Sequence, residues 1–240
     1  MAALLLAPGS DLTYLTGYRI FSTERLTCLV LPADGDATLV LPGLESPRAK
    51  AAAPDLAQRT WAETEDPYAL VGSLTSARGD VGVSDQMWAL FTLRLQQVLE
   101  GRHFVLASTV TRELRVRKDA AEREALRAVS AAADRAYARI LEREFAGRRE
   151  RDVAADLASL LRDEGHDEVT FTIVASGPNG ASPHHETGDR IIGAGEAIVC
   201  DFGGTRRSYC SDITRTVHVG QPDPETIRVH DTVRRAQEAG

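Results

Sequence analysis

Apolar residues follow two rhythms along this chain, and the rhythm changes near residue 110. Through the first hundred residues, short apolar runs alternate with turn residues, the pattern of strands. Residues 4–7, 26–31 and 38–41 are predicted strands, with 33–36 as the hairpin connection between the last two. A helical stretch over 46–53 ends at Pro54. Beyond it the pattern predicts a strand at 81–83, a helix over 85–99 closed by Gly101, and a strand at 104–106. Strands interleaved with helices give an α/β or α+β domain.

From 118 to 145 the spacing is helical. Leu126, Val129, Ala133, Ala136, Tyr137, Ile140 and Leu141 share one face, and Gly147 stops the helix. A second amphipathic helix follows, with Val153, Leu157, Leu160 and Leu161 on its stripe and Gly165 just past its end. Strands are then predicted at 169–175, 197–202 and from Asp212 to Val219, with a last helix from about Pro224. The change of rhythm predicts two domains, 1–110 and 111–240, with the boundary inside 108–117.

The 240 residues are 43% hydrophobic and 26% charged, enough for two ordinary cores. The net charge of −7 argues against a nucleic-acid groove, which needs a basic stripe. Three cysteines, Cys28, Cys200 and Cys210, form neither an even framework nor a zinc spacing, and read as reduced core thiols of a cytoplasmic protein. The apolar opening lacks a basic flank and meets Pro8 early, so it reads as a buried strand rather than a leader. No run approaches the roughly 18 apolar residues of a membrane span.

The chemistry concentrates between Ile198 and Thr216. Asp201 and Asp212 stand in two apolar stretches around a turn-like run from Gly203 to Ser208, which reads as a hairpin. A turn centred between Arg206 and Arg207 places Asp201 directly across from Asp212, with Cβ atoms ~4.5–5.5 Å apart. Carboxylates that close raise one another's pKa unless a cation lies between them. The other reading is a surface hairpin with solvated acids. Two such carboxylates suit divalent ions, and in two-metal sites ions ~3.5–4 Å apart clamp one water.

His184, seventeen residues before Asp201 on a Gly/Pro/Asn loop, is placed to donate to a polarised carbonyl or else is solvated. His185 beside it points elsewhere. Cys210 shares the face of Asp212, as a thiolate ligand or as packing. His218 lies six residues beyond Asp212, ~20 Å along the strand and out of ligand reach. His230 is a solvated helix position, and Thr214 and Arg215 read as a β-forming run. The loop 176–180 lacks the phosphate-cradling Gly-Lys-Ser/Thr pattern.

Taken together, Tyr14-Leu-Thr-Gly17, Leu114-Arg-Val-Arg-Lys-Asp119 opening the long helix, Ile173-Val-Ala-Ser-Gly-Pro-Asn179, Pro183-His-His185, Val199-Cys-Asp-Phe-Gly203, Ser211-Asp-Ile-Thr-Arg-Thr216 and Ala236-Gln-Glu-Ala-Gly240 resemble the pita-bread metallopeptidases of the aminopeptidase P and prolidase family. The resemblance runs in the family's order over nearly the whole chain. It implies a creatinase-type N-terminal domain followed by the first half of a pita-bread catalytic domain. It also implies Asp201 and Asp212 as ligands of two divalent metal ions, manganese first and cobalt or zinc next, and His184 as the catalytic residue that meets substrate. The family's remaining ligands, one His and two Glu, and a second catalytic His would follow Gly240, and the family places a helix before the first strand. The expectation is therefore a fragment, inactive alone. Its intact form would be a homodimeric Xaa-Pro aminopeptidase that releases the residue before proline. The alternatives are a prolidase acting on Xaa-Pro dipeptides, a non-catalytic binding module, and a metal-free creatinase-like hydrolase that would not require the two Asp residues.

Overall fold

The structure, a computed structural model, describes residues 1–75 and 78–240. The chain divides into two units, Met1–Arg117 and Lys118–Gly240.

In the first unit, β1 (Ala3–Leu6) forms because its residues are apolar on both faces, as a central strand requires. It pairs antiparallel with β2 (Cys28–Pro32) and parallel with β5 (Val81–Val83). With β3 (Thr38–Pro42), β4 (Ala57–Trp61) and β6 (Phe104–Leu106) it builds a mixed six-stranded sheet in the order β4-β3-β2-β1-β5-β6. Alternation splits the side chains into two cores. Leu5, Cys28, Val30, Val40, Val81 and Val83 pack with residues of α3 (Pro67–Ser73) and α4 (Ala89–Val98). Leu6, Leu29, Leu39 and Leu41 pack with residues of α1 (Ser10–Thr16) and α2 (Ser46–Ala52). Helices on both faces of the sheet make this unit α/β.

Four elements here carried no prediction: α1, β4, α3 and α5 (Ser108–Val116). Residues 114–119 do not open the long helix. Leu114 to Val116 close α5, and Asp119 caps α6 (Ala120–Ile140). The capping box is complete: the Asp119 carboxylate accepts from the Glu122 amide at 2.8 Å, and the Glu122 carboxylate accepts from the Asp119 amide at 2.8 Å.

The second unit is a two-layer α/β arrangement. Strands β7 (Glu168–Ser176), β8 (Ala197–Arg206) and β9 (Tyr209–His218) form an antiparallel sheet in chain order. Helices α6 and α7 (Glu150–Asp163) cover one face, where Ala133, Ala136, Val153, Leu157 and Leu161 meet Val174, Ile198, Cys200 and Phe202. Burying a side chain such as Phe202 stabilises by roughly 1.5–3 kcal/mol. Helix α8 (Pro224–Ala239) starts at Asp223, whose carboxylate accepts from the Thr226 amide at 2.7 Å, and it buries no residue.

Because Ile198, Cys200 and Phe202 are committed to the helices, strand periodicity places Asp201 on the opposite face of the sheet.

Candidate metal centre

The turn between β8 and β9 is the two-residue loop Arg207-Ser208, with φ of 50° and 67°, closed by the pair Arg206 and Tyr209. Positive φ at both central positions is the type I′ geometry that matches the twist of a hairpin. The loop thus sits one residue later than the sequence suggested, and the pairing moves by two. Asp201 stands opposite Thr214, and Asp212 opposite Gly203. The direct opposition of the two acids is corrected to a diagonal one, at ~7–8 Å rather than ~5 Å. A shift of two preserves the face, so both carboxylates still lie on the side away from the helices.

The wider spacing changes the electrostatics. At about 7 Å in water two unit charges repel by only about 0.6 kcal/mol, so the fold tolerates both acids without a cation between them. Asp201 is half-buried and Asp212 exposed. The Thr214 hydroxyl donates to Asp201 Oδ1 at 2.8 Å, which orients one carboxylate. This role for Thr214 was missed, because a β-forming Thr in a strand carries no signal until the register is known.

Gly203 and Gly204 were read as part of the turn, but they lie inside β8 and have a steric reason to be there. A Cβ on Gly203 would overlap the Ser211 carbonyl, and one on Gly204 would overlap the Glu168 carbonyl. These glycines let β7 and β9 approach β8 at the level of Asp212, next to the register shift between Val169 and Phe171.

The remaining candidates fall as follows. His184 is exposed between the turn at Gly177–Ala181 and β8. His218 pairs with Ala197 and its Nδ1 lies 3.1 Å from the Gly220 carbonyl, while His230 is exposed in α8. Cys28 and Cys200 are core thiols as expected, but Cys210 is not: it is exposed opposite Thr205, on the face of Asp212. Arg215 turns to the helix side, donates to Asp134 at 3.2 Å and lies 5.9 Å over the Tyr137 ring. Among the described residues, no group of three or more His, Cys, Asp or Glu side chains is placed to share an ion.

His185, which the sequence reading turned away from His184, has a specific partner. Its Nε2 donates to Glu150 at 2.9 Å. Glu150 is fully buried at the first turn of α7, and its carboxylate also accepts from the Ser176 amide at 2.7 Å, the Ser176 hydroxyl at 2.8 Å and Asn179 at 3.0 Å. Burial alone would push this carboxyl up. The Ser176 amide, His185, the Ser176 hydroxyl and Asn179 outweigh it and hold the group below its ordinary value. No spacing rule links residues 150, 179 and 185, so sequence reasoning had no way to find them. His166, also unnoticed, is buried with Nε2 2.8 Å from the Ser211 hydroxyl, beside Asp212 in the chain; burial lowers its pKa.

Two oxygen-donor carboxylates on one free face, one of them held by a threonine, suit a hard divalent ion in kind. Two carboxylates alone fill only part of a six-oxygen shell. Residues 122–240 match metallopeptidase family M24, and residues 1–117 match the creatinase/prolidase N-terminal domain. The chain belongs to that metallopeptidase family, with the creatinase-type domain preceding the catalytic one.

Among curated relatives, the chain is 46% identical to the probable dipeptidase PepE of Mycobacterium tuberculosis over 244 aligned positions, which is all of this chain and 65% of the relative. Solved structures agree. Dipeptidase PepE from Mycobacterium ulcerans superposes with a TM-score of 0.91 at 44% identity, covering 100% of this chain and 66% of that one. The prolidase from Thermococcus sibiricus superposes with a TM-score of 0.91 at 34% identity, with the same coverage. The chain spans 65% of the length of the curated relatives named PepE.

Proposed function

We propose that this chain carries the metal-holding hairpin and the substrate loop of a prolidase-type exopeptidase that cleaves Xaa-Pro dipeptides. The observation that carries the reading is the placement of Asp201 and Asp212 on one face of β8 and β9, with Thr214 bonded to Asp201. The dipeptidase and prolidase names of the relatives favour dipeptides over the aminopeptidase reaction expected from the sequence. Release of an N-terminal residue from longer Xaa-Pro peptides is the second reading.

In this reading Asp201 and Asp212 hold divalent ions, with manganese first and cobalt or zinc next. Bound there, the ions supply Lewis-acid polarisation of a carbonyl and of water. Thr214 keeps one Asp201 oxygen engaged and so fixes which lone pairs face the site. His184 donates a hydrogen bond to the scissile carbonyl of a substrate with proline second. A cytoplasmic homodimer is the setting we assign to it.

Calorimetric titration of manganese into the 240-residue chain tests the reading. Binding is expected to be weak, because two carboxylates fill at most four positions of a six-oxygen shell. D201N and D212N should each lower it tenfold or more. Affinity unchanged by both substitutions refutes the hairpin as the metal holder. Hydrolysis of an Xaa-Pro dipeptide compared with an Xaa-Pro-Xaa tripeptide then separates the two reactions.

A further inference from the structure

We propose that Glu150 and His185 are positioning residues that fix where His184 stands, an inference that rests on the substrate-loop reading above. The Glu150 carboxylate grips the segment from Ser176 to His185 at three points. It accepts from the Ser176 amide and hydroxyl at the start, from Asn179 in the middle and from His185 at the end. Turn bonds join these points: Ser182 N–H donates to the Asn179 carbonyl at 3.1 Å, and His185 N–H to the Ser182 carbonyl at 3.2 Å. His184 sits inside the last closed turn, and its exposed side chain makes no hydrogen bond or ion pair among the described residues.

The clamp is one-sided by construction. Glu150 lies in the first turn of α7, where the helix dipole favours a negative charge, and it is itself fully buried. A buried carboxylate with several donors is costly to disengage, since releasing any one leaves part of a charge unsatisfied. Arg190 adds a second tie, donating to the Ser176 hydroxyl at 2.7 Å. The exposed loop therefore inherits its order from the helix core rather than from its own sequence. Of the two adjacent histidines, His185 is spent on the clamp and His184 is left free for a ligand.

The test is backbone ¹⁵N relaxation of the 240-residue chain. Amides 182–186 should be rigid in the unaltered chain, with order parameters of about 0.85, and should fall below about 0.6 in E150Q and H185A. H185Q, whose amide can still donate to Glu150, should restore them. H185A leaves the buried carboxylate in place, so it remains informative if E150Q fails to fold. Loss of order confined to 182–186, well below the unfolding temperature, marks positioning; general destabilisation would not single out this segment or be rescued by Gln. Loop order unchanged in H185A, or not restored in H185Q, overturns the proposal. Manganese affinity should be the same in H185A, because among the described residues no hydrogen bond or ion pair joins Glu150 or His185 to Asp201 or Asp212. A chain that binds no manganese but loses loop order in H185A defeats the metal reading and leaves the clamp standing.

Discussion

Adding one methyl group at Gly203 should unseat the hairpin that carries both acids. A Cβ there would overlap the Ser211 carbonyl oxygen, lie 3.0 Å from the carbonyl carbon and 3.1 Å from Phe171 Cε1. Two of these obstacles are backbone, so no rotamer change relieves them. Restoring ordinary contact distances of about 3.5 Å requires β9 to move by roughly 1.5 Å. A displacement of that size weakens about two ladder hydrogen bonds worth roughly 1 kcal/mol each, and overpacking adds about 1–3 kcal/mol. G203A should therefore cost about 3–5 kcal/mol, a fall in Tm on the order of 10–15 °C for a unit of this size. G204A should behave alike, since its Cβ meets the Glu168 carbonyl on the other side. G180A is the control: its Cβ would meet Val199 Cγ2 at 3.5 Å and the Ala175 carbonyl at 3.6 Å, ordinary contacts, and should change stability by less than about 0.5 kcal/mol. Thermal melts with amide hydrogen exchange over β8 and β9 measure all three. If G203A and G204A match G180A, the close-approach account is wrong.

Three further outcomes are expected. Replacing Arg207-Ser208 by Asn-Gly should stabilise the hairpin by about 1 kcal/mol in denaturant melts, because the type I′ loop now places two residues with side chains at positive φ. Ellman's reagent should titrate one thiol in the native chain, Cys210, and three after denaturation, since burial pushes Cys28 and Cys200 up to about 12 while Cys210 is exposed. On acidification, Glu196 should contribute a loss of stability. Hydrogen bonds from Arg190 and from the Gly193 amide hold its carboxyl at about 2. The unfolded chain thus takes up the proton first, so the contribution is whole above about pH 4.3 and lost as pH falls through about 2. E196Q should flatten that part of the stability curve, measured by urea melts from pH 5 to pH 2.

Sequence reading succeeded where one repeated pattern outweighed everything else. The stripes of α6 and α7 and the apolar runs of β1, β3 and β5 announce themselves because burial dictates most of their positions; β6 was legible from its apolar run alone, although Leu106 is exposed. Two short helices were missed: α1 and α3 have seven residues each, too few to hold a helix without the sheet they pack on, although α2, equally short, was legible. A signal for α3 was present in Asp66-Pro67, where the Asp66 carboxylate accepts from the Tyr68 amide at 2.9 Å. Strand β4 escaped because this edge strand, Ala57 to Trp61, has only Trp61 buried. At the hairpin, the shared face of Asp201 and Asp212 was legible from their spacing and the register was not. Moving the loop by one residue leaves the same apolar set facing the helices, so hydrophobicity does not discriminate. The buried Glu150 was invisible for a different reason, since its donors come from 26 to 35 residues away in sequence.

The strict division of labour between the two sides of β8 also sets what length changes the gene tolerates. One codon inserted ahead of Asp201 in this strand would rotate Phe202 into solvent and drive a carboxylate into the oily layer under α6 and α7. Insertions and deletions within this stretch should therefore persist only in pairs or as a bulge.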